Sequence, residues 1–404
     1  MRISTTSFFE NASSKISDLQ ATLAHKQAQI SANTRILTPA DDPVAAAAAV
    51  EVTQADGVNT QYAANRESAK TALTLQETTL SSYTDLLQNI KTLTVAAGNG
   101  ALDDTQRSYL ATELSNNYDQ LLGIANTRDS AGNFIFGGYK TTSQPFTATA
   151  GGVTYNGDQG QRLLQVSTSR QLPINDSGTD IFSNIKTGNG TFTTAGVAGN
   201  TGNAVINPGT VTNVAALTNH NYSIDFTSAT AFKVYDVTLD PGKAAPLAAS
   251  GTYVPGQAIA FDGLQFDISG TPGSADRFTV APSTNQSIFT SISNLITTLK
   301  TPAIGTAGKA ALLTGLNAAN TNFSAALDVT LTVRASGGSR LQELDALDNE
   351  GSARTIQYAA RLSTLQDLDL VKAYTELTQQ QATLTAAQQS FVKIANLSLF
   401  NYIN

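Results

Sequence analysis

The chain has 404 residues, of which 41% are hydrophobic and only 14% charged, and its formal net charge is −7. That length exceeds one compact domain, and the acidic balance argues against nucleic acid as a partner, which requires a basic face for phosphates. There is no cysteine, so disulfides, thiolate metal sites, iron–sulfur clusters and cysteine nucleophiles are excluded.

At the N-terminus, apolar residues are scattered among Ser, Thr, Asn and Lys, a pattern that predicts no cleaved secretory signal. No stretch reaches the ~20 apolar residues of a membrane span, so no membrane insertion is expected. The first element is a helix whose seam is Ile16, Leu19, Leu23, Lys26 and Ile30, at alternating steps of three and four. Asn33 can adopt the left-handed conformation that closes a helix. Asp42 and Pro43 are suited to N-cap and first helical position, so a second helix is predicted from Pro43 to Ala97. At 1.5 Å per residue it extends roughly 80 Å and must have partner helices along its length. Leu73, Leu80 and Leu87 repeat at sevens, and Tyr83 and Ile90 complete their seam.

Gly98-Asn99-Gly100 interrupts this pattern, and Asp103 with Gln106 reads as a capping box for a third helix running to about Arg128. Asn133–Phe136 and Leu163–Val166 then read as paired strands. From about 187 to 261 the charged residues are Asp225, Lys233, Asp236, Asp240 and Lys243, and glycine punctuates short alternating runs. Tyr222/Ile224/Phe226, Tyr235/Val237/Leu239 and Leu264/Phe266/Ile268 each alternate at period two, the mark of half-buried strands. Helices return with Ile288–Leu299, ending before Pro302. A longer one follows from near Ala307 to about Arg334, and another after Gly337-Gly338 carries Leu341, Leu344, Leu347, Leu362 and Leu365. Its continuation places Leu370, Leu377, Leu384 and Phe391 at sevens, with Ala373, Ala387 and Ile394 between them. The two chain ends are expected to pair.

No catalytic constellation emerges. His25 lies off its helix seam and reads as a solvated residue; His220, between Asn219 and Asn221, reads as a turn residue. Gly305–Lys309 lacks the first glycine of a phosphate loop and has Ala310 where a magnesium-binding hydroxyl belongs. The acidic pairs Asp41/Asp42 and Asp103/Asp104 stand where helices start and are explained by capping. Neither cofactor nor metal is expected, and the chain does not read as an enzyme.

Several segments together carry a family resemblance. Gln29–Val50, with Thr38-Pro39-Ala40-Asp41-Asp42-Pro43 at its centre, resembles the N-terminal signature of the hook–filament junction branch of the bacterial flagellin superfamily. So do the opening Met1–Thr5, Gln61-Tyr62 with Asn65, Arg107–Leu114, Ile124–Arg128 followed by Gly132–Gly138, Ala373–Leu377, Gln388–Phe391 and Leu397–Tyr402. Two positions depart from the pattern, Asn33 for a usual Gly and Ala40 for a usual Ser; Asn33 and Asp42 preserve the turn and cap chemistry.

The fold class expected is α+β multidomain: a long coiled-coil inner domain formed by both chain ends, with an inserted β-rich outer domain. Its expected parts are an N-terminal axial-core helix (1–42), a helical inner domain with a β-hairpin region (43–186), a β-rich outer domain (187–285), the second half of the inner domain (286–364) and a C-terminal axial-core helix (365–404). The resemblance implies an extracellular structural adaptor at the hook–filament junction, exported without a cleaved signal. The partners it implies are further copies of the chain in a ring, hook-associated protein 1, flagellin, and an export chaperone at the C-terminal helix. The assembly interface expected from the seams and chain ends is Ile16, Leu19, Leu23, Ile30, Leu370, Leu377, Leu384, Phe391, Ile394, Leu399 and Phe400. Competing readings are a flagellin filament subunit and, from another class, a fibrous adhesin or phage tail fibre; an adhesin would need a secretory signal.

Overall fold

The computed structural model describes residues 5–247 and 249–396. Among the described residues, six α-helices carry the chain: α1 (Thr5–Ala32), α2 (Pro43–Ala97), α3 (Asp104–Ala125), α4 (Ile288–Lys300), α5 (Gly305–Gln366) and α6 (Leu370–Asn396). Short strands occupy the interval between α3 and α4, so the fold is α+β with a β-rich region between helical ends. Two compact units result, one formed by the chain up to Ala64 together with the chain from Ala346, the other by Asn65–Asp345.

Local chemistry sets the helix ends. Asn33, at φ 54°, closes α1: the Thr34 N–H donates to Gln29 O and the Asn33 N–H to Ile30 O, both at 3.2 Å, the Schellman pattern. Asp42 Oδ1 accepts the Ala45 N–H at 3.0 Å, and Pro43 takes the first helical position of α2 as expected. Asp103 and Gln106 form the anticipated capping box. Ser287 caps α4 through the Phe289 and Thr290 N–H groups.

Four expectations are corrected. First, Asn133–Phe136 is not a strand. Its backbone is satisfied locally, by Phe134 N–H to Thr141 O and Ile135 N–H to Thr127 O, while Arg128 lies 4.2 Å over the Phe134 ring. The hairpins there are Phe146–Thr149 with Gly152–Tyr155, and Leu163–Ser167 with Arg170–Pro173. Second, Gly337-Gly338 does not end a helix; α5 passes straight through. Each glycine costs a helix interior only about 1 kcal/mol, and ion pairs fix the helix on both sides: Arg334 to Glu77 at 2.7 Å, and Arg340 to Asp176 at 2.8 Å. Third, the C-terminal heptads are not one continuous helix. Asp369 starts α6 afresh, its Oδ1 accepting the Lys372 N–H at 3.0 Å. Fourth, the strand near 235 is Ala231–Asp236, burying Phe232 and Val234, while Leu239 is exposed.

The Asn65–Asp345 unit has two separate cores. The helical one unites Leu80, Tyr83, Leu87, Leu114, Phe289 and Phe323, and Phe182 sits at its centre between Tyr83 (4.9 Å between centroids), Phe136 and Phe146 (5.3 Å each). The other belongs to a β module. One sheet orders its strands as Gly251–Thr252, Ala231–Asp236, Tyr222–Ser228, Arg277–Pro282 and Phe192–Gly196, all antiparallel. A second pairs Leu264–Ser269 with Ala258–Phe261 on one side and with Val205–Ile206 and Thr210–Val211 on the other. Ile224, Phe226, Val234, Phe266, Ile268 and Phe278 fill the space they enclose. The module is entered and left through one antiparallel pair, Ile185–Lys186 with Asn285–Gln286.

Candidate assembly interface

In the unit that holds the chain ends, α1 and α6 pack against each other. Phe9 meets Phe391 edge to face at 5.7 Å, and Lys26 Nζ reaches Glu376 Oε2 at 2.8 Å. An early α1 residue thus faces a late α6 residue and a late one an early one, so the pair is antiparallel. Lys26 holds the Glu376 carboxyl below its usual range. Beyond α1, the Arg35 N–H donates to Gln366 O at 2.7 Å and the Arg35 guanidinium to Leu365 O at 2.8 Å. These bonds tie the turn after α1 to the break between α5 and α6.

The seam residues are unevenly covered. Ile16, Leu19, Leu23, Lys26 and Ile30 on α1, and Leu377, Leu384, Ala387 and Phe391 on α6, are half-buried. Gln29 and Ala373 alone are buried among the described residues of these two helices. Leu370, at 42% exposure, stands at the edge of the seam, and Ile394 is likewise open. Leu399 and Phe400 lie outside the described residues. Val371, at 80% exposure, Tyr374 and Val392 also face solvent on α6. The structure therefore places Ile16, Leu19, Leu23 and Ile30 on α1 and Leu377, Leu384 and Phe391 on α6, all half-buried, on two helices that pack against each other. Sequence reasoning missed Phe9 and Glu376; the position of Lys26 within an apolar stripe was the available signal that an acidic partner faces it.

The residues weighed for chemistry have structural tasks. His25 Nε2 lies 3.0 Å from Asp41 Oδ1, so it is tied to the loop before α2 rather than simply solvated. Asp41 also accepts the N–H groups of Thr38 and Leu37, and the Thr38 bond is the chief reason its carboxyl is held below its ordinary range. His220 Nδ1 lies 2.7 Å from Asp236 Oδ2, whose other oxygen accepts the Thr238 and Leu239 N–H groups. Among the described residues no three His, Asp or Glu side chains gather as a metal site, and no helix is long and apolar enough to cross a membrane.

Residues 3–141, the stretch that carries α1, α2 and α3, match the bacterial flagellin N-terminal helical region. Residues 196–282 match the D2-like domain of flagellar hook-associated protein 1. Flagellar hook-associated protein 3 of Escherichia coli is 30% identical over 401 residues, covering 99% of both chains, and that of Salmonella typhimurium is 29% identical with the same coverage. The solved flagellar junction protein FlgL of Legionella pneumophila superposes with a TM-score of 0.72 at 32% identity, over 79% of this chain and all of that one. The chain belongs to the flagellar hook-associated protein 3 family.

Proposed function

We propose that this protein is a structural adaptor of the bacterial flagellum, joining the hook, through hook-associated protein 1, to the flagellin filament. Copies assemble as a ring through α1 and α6, outside the cell, and the protein has no catalytic role. The observation that carries this reading is the incomplete α1–α6 seam: a single chain leaves its heptad residues half-exposed, so further helices are needed to cover them. Each half-exposed Leu or Ile covered on assembly contributes on the order of 1 kcal/mol, enough over several positions to offset the entropy of ordering. The match of residues 196–282 to a hook-associated protein 1 domain supports a place beside that protein rather than in the bulk of the filament. An export chaperone on α6 would shield Val371, Tyr374 and Val392 before assembly.

The test is the double variant Leu384→Asp/Phe391→Asp. Both side chains lie in the seam, and a carboxylate that becomes covered there without a partner costs several kcal/mol. The variant is expected to be made and exported yet fail to join hook to filament, with flagellin released into the medium. Electron microscopy of flagella and flagellin measured in the culture supernatant read the outcome. Normal attached filaments would refute the assignment of the seam.

A further inference from the structure

Gly98-Asn99-Gly100, which separates α2 from α3, recurs in the β-rich region as Gly188-Asn189-Gly190, and Asn156-Gly157 is a third Asn–Gly step. Such a step rearranges without an enzyme, because glycine has no Cβ to keep its nitrogen away from the preceding side chain. The glycine nitrogen attacks the Asn Cγ, the amide leaves as ammonia, taking up the glycine proton, and a cyclic imide forms. One water then opens the ring to aspartate or isoaspartate. Asn99 and Asn189 share the same tripeptide, so the fold decides which of them reacts. The side chain must be free to turn, and the glycine nitrogen free to approach it.

Asn189 is held at every point. Its Oδ1 accepts the Thr191 and Phe192 N–H groups at 3.0 and 2.9 Å, and its Nδ2 donates to Pro208 O and Gly209 O at 3.3 and 3.1 Å. The nucleophile is engaged too, since the Gly190 N–H donates to Thr187 O at 3.3 Å. Asn156 is exposed, but its Nδ2 donates to Thr147 Oγ1 at 2.9 Å and its N–H to Pro145 O at 2.7 Å. Gly157 lies so close to Tyr155 that a Cβ there would collide with the ring, which leaves its backbone little room to move.

Asn99 has none of these restraints. Both Asn99 and Gly100 are exposed, and a Cβ on Gly100 would meet no atom within 4 Å. Neither the Asn99 Nδ2 nor the Gly100 N–H has a hydrogen-bond partner among the described residues. The bond that the side chain does make, Ala101 N–H to Asn99 Oδ1 at 3.0 Å, folds it back across Gly100. We propose that Asn99 is a site of spontaneous deamidation, with water as co-reactant, and that the fold protects Asn189 and slows Asn156. Conversion leaves a carboxylate at the C-terminal end of α2, where the helix dipole disfavours negative charge. The isoaspartate form also routes the main chain through the side-chain methylene and so lengthens the link between α2 and α3. Each copy thus carries a covalent record of its age in that link.

The test follows all three steps by peptide mass spectrometry in the full-length protein, folded in mildly alkaline buffer and unfolded in urea. In the folded protein the amide-to-acid mass gain is expected first at Asn99 and next at Asn156. Asn189 should lag Asn99 by about tenfold or more, the effect of losing one or two hydrogen bonds on the way to the imide. In urea the rates at Asn99 and Asn189 should converge. Gly100→Ala, whose methyl group enters open space, should keep the Tm of the parent and slow conversion at Asn99 alone. A folded-state rate at Asn99 no greater than at Asn189 overturns the proposal, and so does a gap between them that persists in urea. Isoaspartate at position 99, read with isoaspartyl methyltransferase and a labelled methyl donor, marks the imide; aspartate alone would mean direct hydrolysis and reject the mechanism.

Discussion

Asp42 begins α2 with one oxygen and anchors Arg35 with the other. Its Oδ1 accepts the Ala45 N–H and its Oδ2 the Arg35 guanidinium, both at 3.0 Å. The N–H of Ala45, then the Arg35 bond, hold the carboxyl below its usual range. A depressed folded pKa contributes stability that is fully present above the ordinary carboxylate pKa of about 3.9 and is lost as pH falls through the lower folded value. Thermal melts of the parent should therefore be flat from pH 7 to about 5 and decline below about pH 4. Asp42→Asn keeps a capping side chain without a charge, so its decline over that acid window should be shallower. Asp42→Ala removes the cap and should lower the melting temperature at neutral pH as well. An equal acid decline in the parent and Asp42→Asn would assign the sensitivity to other carboxylates, Asp41 and Asp158 among them, which backbone N–H groups also depress.

Elements whose signals are local were legible. The Asp42-Pro43 start, the Asp103/Gln106 box and the Asn33 stop each depend on residues within five positions, and the structure places all three as the chain reads. The misreadings have other causes, and that of the longest helix lies in distant partners. Gly337-Gly338 reads as a break, but the groups that hold α5 across it come from residues 77, 170 and 176. Asn133–Phe136 reads as a strand, but Ile135 and Phe136 enter the core shared with α2 and α4, and no neighbouring strand is needed. The break before α6 escaped notice because leucines recur on both sides of it, although the five-residue step from Leu365 to Leu370 departs from the heptad. The antiparallel register of α1 and α6 can be checked through Lys26 and Glu376. Lys26→Glu should lower the stability of the pair, Glu376→Lys likewise, and the double exchange should recover most of the loss. A small favourable coupling is expected for such a partly exposed pair, read from double-mutant melts. Zero coupling would place the two helices in another register.

At the scale of the whole molecule, the β module is attached as a separate body. Its core shares no residue with the helical core, and both strands of its neck lie side by side, with the Thr187 N–H donating to Thr284 O at 3.0 Å. Where it faces α5, a groove of about 360 Å³ remains between Thr194–Ala204 and Ala307, Ala310, Ala311 and Ala318. A direct bond there is the Gly188 N–H to Asn322 Oδ1 at 2.9 Å. Removal of residues 188–283, with Thr187 joined to Thr284 through two glycines, therefore cuts where the chain already meets itself. A deletion inside the module would instead strand Leu264–Ser269 and Arg277–Pro282 without their sheet partners. The shortened protein should keep its helical circular dichroism, because α2, α3, α4 and α5 retain Tyr83, Phe182, Phe289 and their neighbours. It should also keep filaments attached in swimming cells, since α1 and α6 are untouched, and their assembly is argued to make the junction. Collapse of the helical signal would show that the module supports the inner fold. Intact helices with filaments lost to the medium would move the joining function from the terminal seam to the module.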